Sequence, residues 1–184
     1  MPIDADYPRE RRQFLASDAD VVLLITDHAP GTGLPNLDVH TIRPDGGRAE
    51  TCLREHDVSP ENLACVSYNS GSIGTPKVVM ITHRGLANLA VVASAEFGMH
   101  AEDRYLMLAS ASFSASLEEL FPPVVRGAAT VFPPDRAALS AVADLLDFAE
   151  SRVITLLELQ TAQWHLLVRH LAETGRSLAP SART

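Results

Sequence analysis

The chain has 184 residues, 46% of them apolar, and a formal net charge of −8. That length suffices for one domain with a sizeable core and makes a second complete domain unexpected. No apolar run approaches the ~18 residues that span a bilayer, and without a basic stripe to displace phosphate counterions a nucleic acid is excluded as partner.

Asp4 and Asp6 stand where a signal peptide would carry a basic segment ahead of an apolar block, so the cytoplasm is the expected compartment. Cys52 and Cys65 form no CxxC pair and have no histidine at ligand spacing, which predicts two thiols instead of a disulfide or a metal site. His165 and His170 are five residues apart on an expected helix, about 140° around its axis, and do not make a zinc pair. No metal ligands are expected within this chain.

In chain order, Tyr7 to Ala16 reads as a short helix with Asp6 near its N-cap and Pro8 in the first turn, where a missing N–H is tolerated. Val21 to Thr26 and Leu63 to Tyr68 are apolar runs of strand length. Between them, Asp27 to Asn62 reads as loop with at most one short strand, near Val39 to Ile42, and a turn at Pro44-Asp45-Gly46-Gly47. Arg84 to Phe97 is an amphipathic helix ending near Gly98. Then follow a strand at Tyr105 to Ala109, a helix at Leu117 to Arg126 interrupted by Pro122-Pro123, a strand at Ala128 to Phe132, a helix at Ala137 to Glu150, a strand at Val153 to Leu157 and a helix at Thr161 to Thr174. Ser177 to Thr184 reads as a frayed tail. The alternation predicts an α/β fold with a mostly parallel sheet and flanking helices.

The stretch Tyr68-Asn69-Ser70-Gly71-Ser72-Ile73-Gly74-Thr75-Pro76-Lys77 reads as a phosphate loop between a strand and a helix. Small residues at Ser70, Gly71, Ser72 and Gly74 let backbone N–H groups and hydroxyls converge on an anion, to which a following helix would turn its positive end. Thr75 adds a hydroxyl and Lys77 a mobile cation. Gly-Lys-Ser/Thr is absent and Pro76 precedes the lysine, so the loop is not of the Walker type.

This segment resembles the nucleotide-binding loop of adenylate-forming enzymes, and its continuation, Met80-Ile81-Thr82-His83-Arg84-Gly85-Leu86-Ala87-Asn88-Leu89, resembles the adenylation domains of nonribosomal peptide synthetases. Two further segments agree in the same order. Pro2 to Arg11 is similar to the family's stretch before the loop; Asp103-Arg104 through Ser112-Phe113, with Glu119 to Pro123 and Gly127-Ala128, is similar to its substrate-pocket segment. The resemblance implies a truncated core subdomain over residues 1–176, phosphate binding by Ser70, Gly71, Ser72, Gly74, Thr75 and Lys77, and an acyl pocket at Phe113, Ser114, Ala115 and Glu118. ATP and Mg²⁺ are implied as cofactors, and the remainder of a synthetase as partner. Gln160 and Trp164 sit near a position that can touch substrate in the family.

Several residues depart from the family pattern. Thr is usual where Asn69 and Ile73 stand, and Gly where Val78 stands. An Asp that pairs with the substrate ammonium in amino-acid-activating members is replaced by Ser114, which implies either an acid without an α-amino group, such as an aryl, hydroxy or keto acid, or a decayed pocket. Of Glu118 and Glu119, about 100° apart on a helix, one is expected to be solvated and the other structural. The family's adenine-binding segment, ribose Asp and lid lysine are not found, so the chain alone is expected to be inactive. The alternative is a catalytically dead remnant that self-associates or binds a partner chain through apolar faces.

Overall fold

The computed structural model describes residues 1–26, 40–42, 57–69 and 76–178. Cys52, the turn expected at Pro44 to Gly47 and the end of the expected tail lie outside them. The chain divides into two compact units, Met1–His83 and Arg84–Thr184.

The first unit opens with α1 (Arg9–Asp18), two residues later than the sequence suggests. Pro8 itself takes the N-cap position in extended geometry (φ −50°, ψ 143°), and no side chain caps the helix. Next come β1 (Leu23–Ile25) and β2 (His40–Ile42), paired in parallel. β3 (Leu63–Asn69) then pairs with β4 (Lys77–Thr82) as an antiparallel hairpin in which Asn69 faces Lys77. The strand β4 corrects the expected strand–loop–helix order. Val78, Val79, Ile81 and Thr82 are β-branched, and their stiff side chains suit an extended strand better than a helix start.

The second unit is built on a parallel sheet of order β6-β5-β7: β5 (Arg104–Leu106), β6 (Ala129–Val131) and β7 (Leu156–Leu157). Successive strand residues point to opposite faces. Leu106 and Leu157 therefore join a core cluster with Leu139, Leu145, Ala149 and Ile154, whereas Tyr105 and Leu156 pack with Met99 on the other side. The flanking helices are α2 (His83–Glu96), α3 (Ala115–Arg126), α4 (Val142–Ser151) and α5 (Thr161–Thr174).

Two expectations fail here. The helix α3 runs through Pro122-Pro123 without interruption, although each ring removes a helical hydrogen bond at a cost of up to ~3 kcal/mol. Both rings are fully buried, and their packing offsets that loss. The helix expected at Ala137 to Glu150 is instead a 3-10 turn, Ala137–Leu139, followed by α4. Ala141 adopts an extended backbone (φ −84°, ψ 137°) between them, which turns Leu139 into the core cluster.

Four helices end on the same device. After α1, α2, α3 and α4 the residue that turns the chain has positive φ: Asp20, Gly98, Gly127 and Val153. In each case the next N–H reaches back five residues, as Ile154 N–H does to the Ala149 carbonyl at 2.8 Å, the bond of a Schellman termination. Glycine suits this position because it has no Cβ to strain. Val153, a β-branched residue at φ 54°, pays that strain, and its side chain is 62% exposed. Val153 thus closes α4 and does not begin the strand, which the sequence pattern placed there. Val153→Gly is expected to raise stability by about 1 kcal/mol, read as a shift of the urea midpoint at unchanged slope. A loss of stability would refute the strain.

Candidate functional site

Residues Ser70, Gly71, Ser72, Ile73, Gly74 and Thr75 lie outside the described residues. The structure does describe what carries them. The hairpin register brings Asn69 and Lys77 opposite each other. Lys77 is exposed at the first position of β4. The helix α2 begins six residues later, at His83, so its positive end does not directly follow the loop. This corrects the helix contribution expected from sequence and leaves loop groups and Lys77 as the anion-binding candidates.

The loop's entry strand is held by side chains of α1. The Tyr68 hydroxyl donates to Asp18 Oδ2 at 2.7 Å, and the Phe14 ring meets the Tyr68 ring edge-on with centroids 6.5 Å apart. Burial first, and then the neighbouring Asp18 carboxylate, push the Tyr68 phenol up to about 12. It therefore stays a hydrogen-bond donor at neutral pH.

The expected acyl pocket falls on the turn into α3. Ser114 is the N-cap residue but makes no side-chain cap bond, and Ala115 is the first residue of the helix. Phe113 is 48% exposed. Ser116 fixes the turn: its hydroxyl donates to the Phe113 carbonyl at 2.6 Å and to the Ala111 carbonyl at 3.1 Å. Ser114 and Glu118 are four residues apart and share one helix face. Phe113 and Ser114 thus precede α3, and Ala115 and Glu118 fall in its first turn.

The two adjacent carboxylates separate as expected, with one revision. Glu119 is buried at 3% exposure, and its Oε2 accepts the Ala109 N–H at 2.8 Å. It pins α3 to the segment that follows β5. Burial drives its carboxyl up to about 7 against the lowering effect of that N–H. Glu118 is half-buried instead of fully solvated, and burial, followed by the charge of Glu158, raises its pKa too.

Sequence reasoning missed Tyr105 and Glu158. The buried Tyr105 hydroxyl donates to Glu158 Oε2 at 2.7 Å, and burial, then this bond, hold the phenol far above its ordinary pKa. The available signal was a lone charge, Glu158, inside the apolar run Ile154 to Leu159. Gln160 is committed to structure, forming a reciprocal capping box with Gln163 at the start of α5.

The model of the family described as AMP-binding enzyme matches residues 1–184. Among curated proteins, the isonitrile lipopeptide synthase of Streptomyces coeruleorubidus is 33% identical over 190 residues, covering 100% of this chain and 13% of its own length. Pyochelin synthetase PchF of Pseudomonas aeruginosa is 31% identical, covering 100% and 10%. The chain therefore spans only about a tenth of the length of these two curated relatives. Among solved structures, the Klebsiella oxytoca NpsA N-terminal subdomain superposes with a TM-score of 0.77 at 29% identity, covering 95% of this chain and 45% of that one. The nonribosomal peptide synthetase FmoA3, in its alpha-methyl-L-serine-AMP bound form, superposes with a TM-score of 0.81 at 30% identity, covering 99% and 20%. Sequence and fold agree along the whole length, and the chain belongs to the family of AMP-binding enzymes.

Proposed function

We propose that residues 1–176 are part of an adenylation domain that joins a carboxylic acid to ATP, forming an acyl-adenylate and releasing pyrophosphate during nonribosomal peptide synthesis. The observation that carries this reading is the pairing of Asn69 with Lys77 at the end of the β3–β4 hairpin, in a chain matched from end to end by the AMP-binding family. Ser70, Gly71, Ser72, Gly74, Thr75 and Lys77 would hold the β- and γ-phosphates and align them with the attacking carboxylate. An in-line displacement of this kind needs positioning and charge neutralisation more than acid–base help. Mg²⁺ would enter with the triphosphate.

Phe113, Ser114, Ala115 and Glu118 would face the acyl group. Ser114 offers a neutral hydroxyl, which does not compensate a desolvated ammonium, so the reading favours an aryl, hydroxy or keto acid. The 184 residues alone would bind nucleotide with roughly millimolar affinity, because a few phosphate contacts must overcome several kcal/mol of lost rigid-body freedom. The test is Lys77→Ala in a synthetase that contains this chain, assayed by substrate-dependent pyrophosphate exchange. Exchange is expected to slow; an unchanged rate would remove Lys77 from the site.

A second reading, an inactive module that self-associates or docks on a partner chain, draws on the apolar surface of the first unit. Val22 and Met80 are each 72% exposed and Ile25 is 68% exposed. Such a surface favours association.

A further inference from the structure

The Asn69–Lys77 end of the β3–β4 hairpin has few side-chain anchors. Lys77, Val78, Val79 and Met80 on β4 are all exposed, so this strand gains little from burying its own side chains. On β3, Asn69 is exposed, and the buried Ser67 hydroxyl has no hydrogen-bond partner. Among these residues Tyr68 is the anchor. Its ring is buried and meets Phe14 edge-on, and its hydroxyl donates to Asp18 Oδ2 at 2.7 Å.

The acceptor of that bond sits on a fixed frame. Asp18 is the last residue of α1, Leu15 and Ala16 before it are buried, and the Val21 N–H returns to the Ala16 carbonyl at 3.0 Å to close the helix. A carboxylate at a helix C-terminus opposes the macrodipole, and the last turn of α1 has no basic residue to offset it. Asp18 therefore does not stabilise its own helix. The group it serves is the Tyr68 hydroxyl, 50 residues away in the chain.

Register carries the constraint to Lys77. Tyr68 stands opposite Val78, and the next pair along the ladder is Asn69 with Lys77. In an antiparallel ladder, holding one residue holds its partner and, through the backbone, the pair beside it. We propose that Asp18 and Tyr68 are positioning residues for phosphate recognition, the bond between them fixing the backbone from which Lys77 reaches its anion. A lysine on an untethered strand end must be ordered at each binding event, which costs affinity; on a tethered backbone part of that freedom is already lost. The proposal rests on the phosphate-binding reading of Lys77 given above.

The test is an equilibrium titration of a synthetase containing this chain with ATP and with adenosine, which has no phosphates. The parent is expected to bind ATP more tightly than adenosine. Tyr68→Phe keeps the ring and removes only the donor; it should weaken ATP about fivefold and leave adenosine unchanged. Asp18→Ala should do the same. Asp18→Asn makes the same charge change but keeps an acceptor for the Tyr68 hydroxyl, and should hold ATP affinity within about twofold of the parent. A general folding defect would move both ligands together. Equal losses for ATP and adenosine in Tyr68→Phe and Asp18→Ala, or no loss of ATP affinity in either, would overturn the proposal while leaving the phosphate reading intact. A parent that binds ATP no better than adenosine would overturn that reading and the proposal with it.

Discussion

Replacing Glu119 with Gln should flatten the pH dependence of stability between about pH 4.5 and 7 and leave the variant more stable than the parent at pH 8. In the folded chain the Glu119 carboxyl is held at about 7 by burial, against an ordinary value of 4.5. Below 4.5 both states carry the proton and burial costs nothing in charge. Between the two values the folded state still binds a proton that the unfolded state has released, so stability falls as pH rises. At 1.36 kcal/mol for each unit, the loss reaches about 3 kcal/mol near pH 7 and persists above it. Glutamine mimics the protonated acid and keeps an oxygen for the Ala109 N–H. Urea unfolding at pH 5, 6.5 and 8 measures the slope; parallel curves for parent and variant would show that Glu119 does not titrate in this window.

Asp103→Ala should destabilise the second unit by about 2–4 kcal/mol, because it strands two donors at once, the Thr155 hydroxyl and the His100 N–H. Asp103 is buried; its Oδ1 accepts the Thr155 hydroxyl and its Oδ2 the His100 N–H, both at 2.7 Å. The Thr155 hydroxyl oxygen in turn accepts the Arg104 N–H at 3.0 Å, and the Asp103 carbonyl accepts the Ala129 N–H at 2.9 Å. One residue thus ties the start of β5 to β6 and to the approach of β7. Asp103→Asn keeps an acceptor for only one of the two donors and should fall between parent and alanine variant. A midpoint for the alanine variant within 0.5 kcal/mol of the parent, at the usual urea slope, would contradict this role.

These residues also show what the sequence made legible. The helix α5 has the bounds that the pattern suggests, since extended Gln160 and left-handed Gly175 punctuate it on either side. The order of strands and helices in the second unit was readable for the same reason: period-2 and period-3.6 runs separated by turn residues. Val153 was misplaced because nothing local announces that a valine occupies a glycine position; the requirement comes from the burial of Ile154 behind it. Pro122-Pro123 misled for a related reason, as ring burial is a tertiary gain invisible in a helix propensity. At the candidate site, the motif pointed to Lys77 and Ser114, but the intervening strand β4 and the Tyr105–Glu158 pair depend on register and on contacts 53 residues apart.

The measurement that tests the central claim most directly is pyrophosphate exchange by a synthetase containing this chain, run with parent and Lys77→Ala side by side over a panel of amino, aryl, hydroxy and keto acids. The account predicts exchange with an acid lacking an α-ammonium, a drop of about 10²-fold on loss of Lys77, and no turnover from the 184 residues alone. Exchange by the parent that is confined to α-amino acids and indifferent to Lys77 would contradict it.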